Sequence, residues 1–331
     1  MTIHLFIDTN VYLKFYHYSN DDLEELNKLQ VLLDNDKLEL HLPKQVINEF
    51  QRNRDTKLAD ALKTFNSSKL DIQFPQFCKE YKEYENLKKL IKDFNHEKQK
   101  LLKNIMLAIE SENLKADKVI SLLFSKSNII NTTKQLVDDS KLRYDLGNPP
   151  GKNKSYGDAL NWESLLKTIE YGNDLYFIAD DKDYFCEIEN SKFNTFLAKE
   201  WNKKKGSTIK FYKTLSDFFK DIFPDIKLAT ELEKDLLVDK LESAGSFYSA
   251  RNILQKLYKF DIFSTEQINQ IISSSLENNQ IFWISEDEDI NEMLHVIVDK
   301  NKEKIDEALL QKFRTNIPRL NPIVPPSPPP L

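Results

Sequence analysis

Six carboxylates stand out by where they fall along the chain: Asp8, Glu49, Asp158, Asp180, Asp181 and Asp183. Asp8 closes the apolar run His4-Leu5-Phe6-Ile7, and Asp180, Asp181 and Asp183 follow Asp174-Leu175-Tyr176-Phe177-Ile178-Ala179. Short apolar runs of this kind read as strands buried on both faces. Glu49 lies on the first turns of a helix beginning just past Leu38-Glu39-Leu40-His41-Leu42-Pro43, and Asp158 opens a helix behind the loop Gly147-Asn148-Pro149-Pro150-Gly151. In a parallel sheet, ligands bind beyond the carboxyl ends of the strands. Four elements spread over more than 170 residues thus direct acids to one edge. Such a group repels itself unless cations intervene. Oxygen-only donors suit one or two Mg²⁺ or Mn²⁺ ions rather than zinc or copper. Two ions about 3.5–4 Å apart clamp both oxygens of an in-line phosphoryl displacement. That chemistry requires no Ser, Cys or His nucleophile, and the five His show no pairing at metal-ligand spacing.

Each acid also has an ordinary structural use. Asp8 suits a helix N-cap, Glu49 a solvated helix position, Asp158 a partner for a helix dipole, and the 180–183 cluster a turn with Asx caps. The combination at one edge is harder to explain that way than any one member.

The elements that must position these acids alternate strand and helix. Beyond the runs already named, Leu23, Leu26, Leu29 and Leu33 predict a helix, as do residues from about 44 to 65 and about 190 to 203, with a strand over Thr208–Tyr212. Alternation of this kind predicts a three-layer α/β/α fold around a mostly parallel sheet. Residues 76–145 carry no strand signal. Leu87, Leu90, Ile91, Phe94, Leu101, Leu102, Ile105 and Ile109 make a helical apolar stripe there, so the stretch reads as a helical insertion. After about residue 228 the pattern is again mostly helical, with a capping-box signature at Ser264–Gln267 and one short strand expected over Gln280–Ile284. The expected domains are therefore 1–228, with the insertion inside it, an acidic and mostly helical domain over 229–316, and a Pro-rich, disordered tail over 317–331.

Phe6-Ile7-Asp8-Thr9-Asn10-Val11 resembles the opening of PIN-domain nucleases. Leu42-Pro43-Lys44-Gln45-Val46-Ile47-Asn48-Glu49-Phe50 is similar to that family's second acidic motif, Gly157-Asp158-Ala159-Leu160 to its third, and Phe177-Ile178-Ala179-Asp180-Asp181-Lys182-Asp183-Tyr184 to its fourth. The resemblance spans about residues 1–215. The Asn148–Gly151 loop with Gly157-Asp158 and Trp162-Glu163 looks like a bacterial PIN-like subgroup with a helical C-terminal extension. It implies a metal-dependent ribonuclease of a toxin, RNA-processing or defence system. Carried over by motif, Asp8, Glu49, Asp158 and Asp181 are the metal-binding, catalytic acids. Asp183 is an auxiliary acid, and Asn10 steadies the first carboxylate or a bound water. The fourth motif departs from the pattern, with Ala179 in place of a Thr and Asp180 as an extra acid. Its register is therefore open by one, with Asp181 preferred for its spacing to Asp183 and Tyr184.

The net charge of −6 is unevenly spread. Residues 1–230 carry 36 basic and 36 acidic side chains, whereas residues 231–310 carry 8 and 17. The surplus belongs to the C-terminal region, which is expected to pack on the core, recruit a protein partner or inhibitor, or mask the site. Basic side chains gather at 82–103, 141–154 and 199–213. The middle group leads into Asp158, so Arg143 and Lys154 are the expected phosphate contacts, with Tyr144 and Tyr156 beside them. The substrate expected is single-stranded RNA. A flap-type DNA nuclease and a non-catalytic RNA- or protein-binding scaffold are the alternatives. No apolar run reaches the ~20 residues of a membrane span, the N-terminus lacks a signal peptide's basic n-region, and the two cysteines exclude a disulfide framework. A cytoplasmic location is the expectation.

Overall fold

The computed structural model describes residues 2–16, 23–67, 70, 72–151, 156–189, 191–224, 226 and 228–320. The chain forms two compact units, Met1–Asp225 and Ile226–Leu331.

The first unit is built on a five-stranded parallel sheet, in the order β3-β2-β1-β4-β5. Its strands are β1 (Ile3–Ile7), β2 (Leu38–Pro43), β3 (Asn128–Ile130), β4 (Leu175–Ile178) and β5 (Ile209–Tyr212). Leu5, Phe6 and Ile7 are consecutive and all buried, as expected of a strand covered on both faces. Helices α1 (Thr9–Lys14), α2 (Leu23–Asp34), α3 (Lys44–Ser67), α4 (Lys82–Glu110), α5 (Lys115–Lys126), α6 (Lys134–Asp145), α7 (Gly157–Thr168), α8 (Thr195–Lys205) and α9 (Leu215–Ile222) complete the unit. Phe6 of β1 meets Phe177 of β4 at 4.7 Å between ring centroids, and Trp162 of α7 meets Trp201 of α8 at 5.8 Å. Large rings locked between layers hold the register in which neighbouring strands end level. The strand order reverses between β1 and β4, the place where open parallel sheets form a ligand crevice.

Three sequence expectations change. The 76–145 stretch is not wholly helical, because β3 lies inside it and pairs with β2 through His41↔Asn128 and Pro43↔Ile130. A three-residue strand is too short to show periodicity, so only its pairing reveals it. The apolar stripe of α4 does form a helix, but none of it is buried: Leu90 is 63% and Phe94 49% exposed. The segment 280–284 is no strand: Asn278 caps a short helix, α13 (Asn279–Phe282), by accepting from the Gln280 amide.

The second unit is helical throughout its described residues. It comprises α10 (Ala229–Glu242), α11 (Phe247–Leu257), α12 (Thr265–Glu277), α13, α14 (Glu288–Asn301) and α15 (Glu307–Asn316). Ser264 and Gln267 form the expected capping box at the start of α12. Ile268, Ile271 and Ile272 of that helix are buried with Leu254, Leu294 and Phe313 in one core. The expected Pro-rich tail lies, from residue 321 on, outside the described residues. No helix among the described residues is long and apolar enough to cross a membrane.

Candidate metal centre

Asp8 stands immediately past β1, and its main-chain N–H still donates to Ile178 O of β4 at 2.9 Å, so the acid sits where the two central strands end. It caps α1, accepting from the Asn10 amide at 3.4 Å. Asn10 therefore steadies Asp8 through its backbone, and its side chain is exposed.

Glu49 lies on the second turn of α3 and is fixed from two sides. Thr9 Oγ1 donates to one carboxylate oxygen at 3.0 Å and Gln45 Nε2 to the other at 2.7 Å. Gly157 opens α7 directly against it: a Cβ at that position would lie 2.3 Å from Glu49 Oε1. The missing side chain lets the first turn of α7 close onto Glu49 and brings Asp158 with it. Tyr184 donates its hydroxyl to Asp158 Oδ1 at 3.1 Å. Asp181 accepts from the Asp183 amide at 3.0 Å, capping a short 3₁₀ turn over Lys182–Tyr184. The ordinary capping roles and the convergence of acids thus coexist.

The acids feel one another. Burial first, then Asp158, pushes Asp8 up to about 8, with Glu49 and Asp181 adding to it and the Asn10 amide opposing. Burial likewise pushes Asp158 up to about 7, with Asp181 and Glu49 next, the Tyr184 hydroxyl opposing and Asp183 adding. Burial and the same acids hold the Tyr184 hydroxyl well above its ordinary value, so it remains a donor. No basic side chain figures among the main influences on Asp8 or Asp158. The expected set Asp8, Glu49, Asp158, Asp181 and Asp183 is thereby brought together. Asp180 is set apart: its carboxylate pairs with Lys14 of α1 on the exposed side. The donor set is all oxygen, with Asp8 and Asp183 buried and Glu49, Asp158 and Asp181 partly buried, which fits hard divalent ions.

The nucleic-acid contacts expected from sequence fare differently. Arg143 is not available to a phosphate. It is 6% exposed, and its guanidinium donates to Glu163 of α7, Glu200 of α8 and Pro149 O, each at 2.6 Å. Glu200 also accepts from Trp162 Nε1 at 2.9 Å. The arginine is a knot joining α6, α7, α8 and the loop before Asp158. Lys154 lies outside the described residues. Tyr144 and Tyr156 pack on each other, edge to face at 4.9 Å. A cavity of about 660 Å³ opens beside Asp183, lined also by Lys182, Gly147, Pro149 and Asn194.

Sequence reading passed over Thr9, Gln45 and Gly157 as parts of the site. The i, i+4 spacing of Gln45 and Glu49 on one helix was the signal for the first contact. It also missed a meeting of histidines: His4 of β1 and His41 of β2 approach to 3.0 Å between ring nitrogens. The two are 37 residues apart, and only the β1–β2 pairing, in which His4 sits opposite Glu39, brings them together.

A PIN-domain family model matches residues 5–184, more than half of the chain, and the protein belongs to the PIN-domain family. PIN domains are generally nucleases and typically use divalent metals. The match runs from β1 through Tyr184 and so takes in all the acids described above. No curated protein and no solved structure matches the chain.

Proposed function

We propose that the protein is a metal-dependent endoribonuclease that cleaves single-stranded RNA by two-metal phosphodiester hydrolysis, leaving 5′-phosphate and 3′-hydroxyl ends. The observation that carries this reading is that buried Asp8 and partly buried Asp158 lie among like charges, with no basic side chain among the main influences on either. Asp8, Glu49, Asp158 and Asp181 would hold Mg²⁺ or Mn²⁺, with Asp183 as an auxiliary acid. Ions bound there supply positive charge for a phosphodiester and make water more acidic. The chain's own side chains do the positioning. Thr9 and Gln45 fix both oxygens of Glu49, Tyr184 fixes Asp158, and the Asn10 amide fixes Asp8. Asp8 and Asp158 hold protons more tightly than ordinary carboxylates, so a cation held there would compete with protons near neutral pH.

Residues 1–228 would be the nuclease domain. The region 229–316 would bind protein rather than RNA, since its surplus of acids repels phosphate.

The test is incubation of the full chain with end-labelled single-stranded RNA, matched single-stranded DNA and a flapped DNA duplex, in Mn²⁺ and in EDTA. Cleavage of RNA alone, abolished by EDTA, is the expected result. Preference for the flapped duplex would replace the RNA reading, and cleavage that survives EDTA would overturn the metal mechanism.

A further inference from the structure

The second set of ligating groups lies on the sheet itself. His4, Glu39 and His41 come from adjacent strands, and one ligand atom from each falls within 4.8 Å of the others. His4 Nδ1 is 3.0 Å from His41 Nε2 and 3.3 Å from Glu39 Oε2. Tetrahedral bonds of about 2.0–2.1 Å to nitrogen and oxygen put ligand atoms about 3.3–3.4 Å apart, so an ion needs an opening of only a few tenths of an ångström between the rings.

The surroundings suit an ion as well as the distances do. Asn128 of β3 donates to Glu39 Oε1 at 2.7 Å, orienting the carboxylate from behind and leaving Oε2 toward His4. His41 is 3% exposed, and its Nε2 faces His4 Nδ1. Burial, with His4 adding and Glu39 opposing, lowers His41 to about 4, so its ring is neutral at physiological pH, as a ligand must be. Glu39 is 39% exposed and gives solvent ions a way in.

We propose that His4, His41 and Glu39 form a second metal site, for a borderline transition ion of the Zn²⁺ class, that clips β1 to β2. Two imidazoles and one carboxylate leave a fourth position for water. This donor set differs in kind from the all-oxygen acid centre, so the two sites select different ions. Each neutral ring keeps one N–H: the proton now shared between the rings moves to a far nitrogen, and no net proton is lost. The clip fastens the strand whose end carries Asp8, yet its ligands are none of the acids.

The test is Co²⁺ titration of the full chain in excess Mg²⁺, read by visible absorption, with Zn²⁺ as competitor and thermal unfolding followed in parallel. One equivalent should give a visible band that Zn²⁺ bleaches, and Zn²⁺ should raise the unfolding temperature. Glu39→Gln and His4→Gln, both at partly exposed positions, should weaken binding at least about tenfold. Asp158→Asn should bind Co²⁺ as the native chain does. No band in the native chain, a band that survives both Glu39→Gln and His4→Gln, or a band lost in Asp158→Asn would each overturn the site. RNA cleavage in Mg²⁺ is a separate readout, so failure here leaves the nuclease reading standing.

Discussion

The first unit buries charge in two opposite ways. At the Arg143 knot the chain supplies both signs: one guanidinium serves Glu163, Glu200 and a carbonyl. The Arg54–Asp117 pair repeats the pattern, with Arg54 donating twice to Asp117 at 2.8 Å and Tyr16 also donating to it. At the acid centre the main charges acting on Asp8 and Asp158 are other acids. Net proton affinities run accordingly. Burial raises both Asp117 and Glu200, but the hydrogen bonds of Arg54, Tyr16 and the Leu114 amide for the first, and of Arg143, Lys204 and Trp162 for the second, together with the arginine charges, outweigh it and leave each lowered. For Asp8 and Asp158 nothing outweighs burial. A buried charge with its partner in the same chain is there for the fold. One crowded by like charges costs stability, and such groups cluster at functional sites.

Substitutions should separate the two cases. The largest effect is expected for Asp158→Asn, which should cut metal-dependent cleavage by about 10²-fold or more, since a metal ligand supports several kcal/mol of transition-state charge. The same substitution removes a buried like charge, so the metal-free protein should unfold at a higher temperature, checked by calorimetry at pH 8. Arg143→Met should do the reverse. It removes the partner of Glu163 and leaves Glu200 only Lys204 and Trp162, so it should cost about 3 kcal/mol of stability in denaturant unfolding, while the salt dependence of cleavage by the folded fraction stays unchanged.

Gly157→Ala tests the contact between α7 and Glu49. The new Cβ meets the far end of a side chain rather than backbone, so the fold should tolerate it while Glu49 is displaced and cleavage falls about tenfold. Little change in turnover would show that Glu49 need not sit where it does.

The pH dependence of the metal-free protein should carry both signatures. Asp8 and Asp158 have folded values raised from 3.8 to about 8 and about 7. The folded state therefore holds their protons more tightly, and stability falls as pH rises from about 4 to about 8. Asp117 and Glu200 lie below their unfolded values, so their contribution is present above the ordinary carboxylate range and is lost as pH falls below it. Chemical denaturation across pH should reveal a decline on each side. Asp158→Asn should flatten the alkaline decline and leave the acid one. The smallest effect is expected for Lys14→Ala: its pair with Asp180 is exposed and worth at most about 1 kcal/mol, so cleavage should stay within about threefold of native.

The sequence carries the acid centre well because its logic is local: an apolar strand, then an acid, repeated at β1 and β4, with helix starts supplying Glu49 and Asp158. What it hides is partnership. Arg143 reads as a free cation in a basic segment, and nothing local reveals that Glu163 and Glu200, 20 and 57 residues away, claim it. His4 and His41 are unremarkable until β1 and β2 pair. The run Ile281-Phe282-Trp283-Ile284 has the residue types of a strand, yet Asn278 starts a helical turn ahead of it and no strand lies in the second unit's described residues to receive it. The stripe on α4 is legible as helix but not as uncovered, because exposure depends on what the rest of the chain leaves unpacked.

The central claim is that the clustered acids hold the ions that cleave RNA. Its most direct test is single-turnover cleavage of labelled single-stranded RNA across a Mn²⁺ titration, comparing the native chain with Asp158→Asn at equal folded fraction. The account predicts saturable, Mn²⁺-dependent cleavage by the native chain and at least about a 10²-fold slower rate for Asp158→Asn at every Mn²⁺ concentration. Equal rates for the two proteins, or no cleavage by the native chain at saturating Mn²⁺, would contradict it.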